Sequence, residues 1–309
     1  MSRLNANLLL LFTAAIWGLA FVFQKTAMDV LGPWTFIASR AILATLTLLP
    51  FAYYEARRAG FRATTSDAAP FCPPGLLGAG LWAGSAFFLG ATLQQLGLKT
   101  ATATNGGFLT ALYVIVTPIL AWIWLRRTPG KALIPAVALS FIGTWALGGG
   151  SLDALSSGDR LIAACALFWA VHVILSEKGA GFGRPAMFTM IQFAVVATLA
   201  TIGTLLLEAP TLQALRAAAL EIAYVGILSS AMTFTLLTVA LRYTAASEAA
   251  VIISTESLFA AVAGALLLGE RLTPLAWFGA GLIVVATLVV QLAPRPTSHT
   301  DLRPKENAT

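Results

Sequence analysis

Charge is what this sequence has least of. Only 10% of its 309 residues are Asp, Glu, Lys or Arg and 58% are hydrophobic, whereas a soluble domain carries about a quarter of its residues as charges. A soluble chain of that make-up would expose large sticky patches, which points to lipid as the solvent. Cysteine is almost missing too. Cys72 and Cys165 stand far apart with no CxxC or Cys/His spacing, so neither a disulfide framework nor a zinc site is indicated. The two histidines, His172 and His299, build no HExxH, and there is no GxSxG elbow and no Walker sequence. Catalysis and direct ATP use are therefore not expected, nor is any cofactor or metal. The net charge of +6 does not suggest nucleic acid, because the basic residues flank apolar runs instead of lining one face of a polar domain.

Those apolar runs fall at approximately 6–26, 33–52, 74–96, 102–124, 131–148, 160–176, 186–206, 220–241, 244–268 and 273–292. Each is close to the roughly 20 residues a membrane-spanning helix needs. Without period-2 alternation they argue for helices and against a barrel, so an all-α membrane protein of ten transmembrane helices is expected. The first run, Leu8 to Phe23, is read as an uncleaved span because apolar segments continue along the chain. With the N-terminus inside, thirteen Lys and Arg fall in the inner loops, Arg57, Arg62 and Arg126 among them, against five outside: Lys25, Lys99, Arg160, Arg216 and Arg271. The positive-inside rule then places both termini in the cytoplasm of a bacterial-type inner membrane.

The chain also matches itself. A shift of 152 lays Ala14-Ala15-Ile16-Trp17-Gly18 on Ala166-Leu167-Phe168-Trp169-Ala170 and Arg40 on Gln192; a shift of 143 puts Tyr113 on Glu256 and Arg126-Arg127-Thr128-Pro129 on Arg271-Leu272-Thr273-Pro274, within a residue or two. The expected organisation is a first five-helix unit over 1–148, a linker over 149–158 opened by the glycines before Ser151, a second unit over 159–292 and a disordered cytoplasmic tail over 293–309. An odd number of spans per unit makes the second copy thread the membrane in the opposite sense. Two inverted repeats around a central cavity are a recurrent transporter design.

The string Ala-x-x-Trp-Gly-x-x-Phe-x-x-x-Lys at 14–25, Arg40 in span two, and Gly269-Glu270-Arg271-Leu272-Thr273-Pro274 followed by Gly279-Ala280-Gly281 resemble the EamA-type branch of the drug/metabolite transporter superfamily. Within it the chain looks closest to YddG-type exporters of aromatic amino acids. The resemblance implies ten helices in inverted five-helix repeats around a cavity, and export as the direction. The first copy departs from the pattern with Leu125-Arg126-Arg127 where a Gly-Glu-Arg is usual, and span nine has Ala261 where span four has Pro118.

Several residues are candidates for substrate binding. Trp17, Phe21 and Gln24 share one face of span one, and Trp169, His172 and Ser176 share one face of span six. Tryptophan is commonly an interface anchor, but these two lie about ten residues, roughly 15 Å, from a helix end. Arg40, His172 and Glu256 are the ionisable groups deepest in the spans, where such groups are costly enough to suggest function; snorkelling for Arg40 and a neutral, hydrogen-bonded imidazole for His172 are the plainer readings. Arg40 and Glu256 are expected at matching depth, coupled directly or through substrate. Trp82 and Tyr113 complete the expected wall, from spans three and four. Gly80 and Gly84 make a GxxxG that reads as helix packing, and Pro118 frees a backbone carbonyl for gating or mere curvature. A carrier of small metabolites, amino acids first, follows, with a drug or organic-cation carrier as the alternative and a channel or intramembrane enzyme less favoured. The expected partners are a small-molecule substrate and membrane lipid around a monomer.

Overall fold

The computed structural model describes residues 1–62, 71–127, 130–147, 149–150 and 156–293, with the backbone alone over 59–62. The expected tail beyond Ala293, linker residues 151–155, and Thr128 and Pro129 of the repeat match lie outside the described residues. Every regular element among those described is helical: α1 (Arg3–Ala27), α2 (Pro33–Arg62), α3 (Leu76–Gly97), α4 (Ala103–Thr110), α5 (Tyr113–Leu125), α6 (Leu133–Leu147), α7 (Ser157–Ala180), α8 (Pro185–Leu207), α9 (Leu212–Ala217), α10 (Ala219–Ala223), a wider π-helical segment (Tyr224–Met232), α11 (Thr233–Ala240), α12 (Ala246–Ile253), α13 (Glu256–Leu267) and α14 (Pro274–Leu292). Grouped into continuous rods, nine helices among the described residues are long and apolar enough to cross a membrane. The tenth run falls short of that length. α6 has 15 residues, about 22 Å of helix, against a hydrocarbon core of about 30 Å.

Helix starts are written locally. Ser2, Thr102 and Thr273 each accept a backbone N–H three residues on, and Ser156 and Asp159 form a reciprocal capping box on α7. Pro33, Pro185 and Pro274 occupy first helical positions, where a missing N–H costs nothing.

Two carboxylates tie α2 and α8 together in reciprocal fashion. Glu208, just past the end of α8, accepts the N–H groups of Trp34 and Thr35 at 3.1 and 2.8 Å, while Glu55, late in α2, accepts those of Ala186 and Met187 at 3.2 and 3.0 Å. Each acid lies where a helix N-terminus favours negative charge, and the crossed pattern requires the two helices to run antiparallel. Glycines let the backbones close in. A Cβ at Gly84 of α3 would sit 2.8 Å from Gln192 O, and one at Gly226 of the π-helical segment 3.1 Å from Arg40 O. Arg40 and Gln192 are the residues that the 152 shift superimposes.

Spans four and nine are each broken in the middle. α4 gives way to α5 at Ala111–Leu112, and α12 to α13 at Ser254–Thr255, an offset of 143 in both cases. At the first break Val114 and Ile115 donate three residues back, to Ala111 and Leu112; at the second, Ser257 and Leu258 do the same to Ser254 and Thr255. Three-residue spacing of this kind is the tighter 3₁₀ turn. Pro118 is not the origin of the breaks: it lies a turn and a half beyond the first break, and the second break has Ala261 at the matching place.

Candidate functional site

The breaks bring polar side chains to the centre of the bundle. Tyr113 opens α5 and Glu256 opens α13, both are buried, and the tyrosine hydroxyl donates to Glu256 Oε1 at 2.9 Å. Around this pair lies a cavity lined from α1 by Trp17, Phe21 and Gln24, from α2 by Arg40, from α3 by Phe87 and Gln94, and from α7 by Trp169, His172 and Val173. Thr110, Ser229, Phe234 and Ile253 complete the wall. About 50 Å³ of it is open to a water-sized molecule, room for a few waters, each of which takes about 10–15 Å³ by that measure. Anything larger would need the helices to part.

Aromatic rings form a connected part of the wall. Phe87 is its hub, with edge-on contacts to Trp169 at 4.9 Å, Phe193 at 5.0 Å, Phe234 at 4.9 Å and His172 at 5.5 Å, distances at which the positive edge of one ring meets the negative face of another. Trp17 packs on Phe234 at 4.7 Å and sends its N–H to Ser229 O and Thr233 Oγ1 at 3.0 and 2.7 Å. The other tryptophan makes a different bond: Trp169 donates to Gln94 Oε1 at 2.8 Å. His172 Nε2 lies 2.6 Å from Gln192 Oε1, a hydrogen bond whose direction is set by the imidazole tautomer. Nδ1 is left without a partner among the described residues.

Arg40 is 4% exposed, and its guanidinium lies 5.8 Å from the Phe36 ring centre and 5.7 Å from that of Phe87. Among the described residues it forms neither an ion pair nor a side-chain hydrogen bond, and Nε has no acceptor. The direct Arg40–Glu256 pair that matching depth allowed is therefore not formed. Glu256 bonds to Tyr113 while Arg40 stays on the aromatic faces, held by cation–π attraction.

Eight of the nine side chains named from the sequence for substrate contact reach this one cavity: Trp17, Phe21, Gln24, Arg40, Tyr113, Trp169, His172 and Glu256. Trp82 does not. It is 71% exposed on the outward side of α3, because Gly80 and Gly84 turn the opposite side of that helix onto Ile191, Gln192 and Val195 of α8. Phe87, Gln94 and Phe234 were not anticipated. The first two stand seven residues apart on α3, which puts them on one face, and that spacing was the available signal.

The profile of the EamA-like transporter family matches the chain twice, over residues 4–149 and 156–292. A protein of Archaeoglobus fulgidus named as an uncharacterized transporter is 33% identical over 294 residues, covering 94% of this chain and 87% of that one. The uncharacterized transporter YwfM of Bacillus subtilis is 24% identical over 224 residues, 69% of this chain and 75% of its own length. A solved crystal structure superposes with a TM-score of 0.71 at 16% identity, covering 94% of this chain and 98% of the other, a likeness of fold. With its apolar helices and two profile matches, the chain belongs to the EamA-like transporter family and is a multi-pass membrane protein.

Proposed function

We propose that the chain is a secondary carrier that exports small zwitterionic metabolites, amino acids including aromatic ones in first place, across an inner membrane by alternating access. One observation carries this reading. A buried guanidinium and a buried carboxylate line the same aromatic-walled cavity without pairing with each other. Leaving a charge unpaired in lipid costs roughly 3 kcal/mol on insertion scales, and an amino acid relieves both groups at once: its carboxylate meets Arg40 and its ammonium meets Glu256. Flat side chains then lie against Trp17, Phe87 and Trp169, contacts worth about 0.5–1.5 kcal/mol each. Placement beside YddG-type exporters, and export as the direction, rest on the sequence resemblance.

The mechanism suits two inverted five-helix units over 1–148 and 159–292, with α6 as a short tenth span. Supporting this are the separate profile matches, the antiparallel α2 and α8 with their crossed carboxylate caps, and breaks offset by 143 residues. Half-helices meeting at mid-bilayer are where such carriers hold substrate. The breaks at 111–112 and 254–255 are the natural hinges, with Pro118 loosening α5 just beyond. The thirteen-to-five distribution of basic loop residues favours cytoplasmic termini; labelling of Lys99→Cys but not Arg62→Cys by an impermeant thiol reagent on intact cells is the expected result.

Counterflow in liposomes with purified protein tests the substrate class. Amino acids should exchange, and Arg40→Gln and Glu256→Gln should each abolish exchange with a combined loss no greater than either alone, since one bound zwitterion needs both. Movement of organic cations but no amino acid would favour the cation-carrier reading, for which Glu256 and the rings suffice without Arg40.

A further inference from the structure

The hydrogen bonds at one wall of the cavity fix more than its shape. An indole N–H can only donate, so the Gln94 atom 2.8 Å from Trp169 Nε1 is its oxygen. Gln94 must then face its other neighbour with nitrogen, and Nε2 donates to Gln24 Oε1 at 3.3 Å. The carbonyl end of Gln24 is thereby engaged, while its Nε2 forms no hydrogen bond among the described residues. Gln95 secures the same spot by donating to the Gln24 main-chain carbonyl at 2.9 Å. Gln24 and Gln94 are 4% and 5% exposed and both line the cavity, so neither amide can turn over without breaking a buried bond, which costs more than an exposed one. The chain of donors runs from α7 through α3 to α1 and ends on two amide hydrogens with nothing of the protein to bind.

We propose that Gln94 is a specificity-determining residue: relayed from Trp169, it holds the Gln24 amide with its N–H groups toward the cavity, and so selects solutes that present an oxygen acceptor, a carboxylate above all. This deepens the zwitterion reading and rests on it. Arg40 supplies charge, and the relay supplies direction, rejecting a molecule that brings N–H groups to the same place. Gln94→Glu reverses the logic. A glutamate still accepts from Trp169, but its second oxygen cannot donate; the Gln24 amide turns to donate to it, and the Gln24 oxygen then faces the cavity.

The test is counterflow of matched pairs, an amino acid against its primary amide, in wild type, Gln94→Glu and Trp169→Phe, with thermal unfolding recorded for each. Wild type should favour the acid by about tenfold, the worth of one charge-assisted hydrogen bond. Gln94→Glu should favour the amide, and Trp169→Phe, which keeps an aromatic ring but loses the N–H together with part of the indole, should fall between, with thermal unfolding reporting the lost packing. Equal handling of acid and amide by wild type overturns the relay while leaving a carrier of amino acids standing. So does a Gln94→Glu protein in which both members fall together at an unchanged ratio, the mark of a merely structural role. Should wild type move no amino acid, the zwitterion reading fails, and the relay is then read by thermal shift with 3-phenylpropionate and its amide. Stabilisation of wild type by the acid alone, lost in Gln94→Glu, upholds the relay; equal or absent stabilisation overturns it.

Discussion

The two broken spans end differently, and the difference lies in two residues. α13 stops at a left-handed Gly269 with a φ of 70° followed by Glu270; α5 stops at a left-handed Arg126 with a φ of 51° followed by Arg127. The backbone is the same at both ends, with Glu270 N–H reaching back to Gly264 O at 3.1 Å and Arg127 N–H to Ala121 O at 3.5 Å. The side chains do opposite things. Glu270 accepts the N–H groups of Ala103 and Thr104 at 3.0 and 3.1 Å, and the Thr104 hydroxyl, clamping the start of α4. Arg127 turns away to Glu177 at 2.7 Å, and the start of α12 has no side-chain cap of its own. That end is held instead by Arg3, which bonds Glu248 at 3.0 Å and the carbonyls of Ala293 and Val290 at 2.9 and 3.1 Å. α1 spans from one end to the other: Arg3 joins α12 while Lys25 donates to Leu98 O at 2.9 Å beside α4. One end is latched by a carboxylate on a helix N-terminus and the other by an arginine bridge, so two segments that match the same family profile carry unlike locks. In the carrier proposed above, unequal locks would bias the equilibrium between its two open faces.

Removing the stronger lock should have the largest effect. Glu270→Ala strips three hydrogen bonds, all partly buried, from the first turn of α4, and should destabilise the protein by about 3 kcal/mol, with charge-assisted bonds worth roughly 1.5–3 kcal/mol each before water repairs part of the loss. Thermal unfolding in detergent reads the cost. Cysteines placed at residues 103 and 246 read the bias: the α4 end should gain thiol reactivity and the α12 end should lose it. Glu270→Ala with unchanged reactivity at both ends would mean that this contact is only a cap.

Arg3→Ala is the corresponding cut at the other end, and a smaller one. Its pair with Glu248 is partly open to solvent, the side chains being 13% and 16% exposed, and such pairs give about 1 kcal/mol or less; two carbonyl bonds at the end of α14 bring the expected loss to about 1–2 kcal/mol. Labelling should shift in the direction opposite to that of Glu270→Ala. A shift in the same direction would refute the idea that the two locks oppose each other.

Much of this was legible in the sequence because a repeat constrains both copies at once. Matching Tyr113 with Glu256 by a shift of 143 put the two residues at equivalent breaks, and they touch. The breaks themselves left no mark. Ala111-Leu112 and Ser254-Thr255 are ordinary in a helix, and the Ser254 and Thr255 hydroxyls bond carbonyls three residues back, with Ser254 also 2.8 Å from Ser140 Oγ, so periodicity alone reads straight through them. Trp82 went astray for a different reason. Gly80 and Gly84 were read as a packing motif, and a residue midway between them lies about 200° from Gly80 around the helix. Packing at the glycines and a cavity role for Trp82 were incompatible. Phe87 and Gln94 were passed over because neither carries charge or repeats in the second copy, and Arg40 was recognised by its cost in lipid while its freedom from a partner depends on which atoms surround it.

The smallest effect isolates backbone from side chain at the matched helix ends. Arg126 is exposed and holds a left-handed conformation that costs most residues about 1–2 kcal/mol and glycine almost nothing. Arg126→Gly relieves that strain but leaves a more flexible unfolded chain, so a net gain of about 0.5–1 kcal/mol is expected. Gly269→Ala runs the same experiment backwards. No atom lies within 4 Å of the Cβ it would add, so its loss, about 0.5–1 kcal/mol, is conformational. Equal and opposite shifts in thermal unfolding, with transport unchanged in both, would show that the two ends share one backbone solution and differ only in what their next residue grips. A Gly269→Ala cost well above that of the strain would instead place the Glu270 clamp under the control of Gly269, with the carboxylate losing its reach to Thr104 once the turn tightens. The distinction is measurable, because adding Glu270→Ala to Gly269→Ala then costs less than the sum of the two.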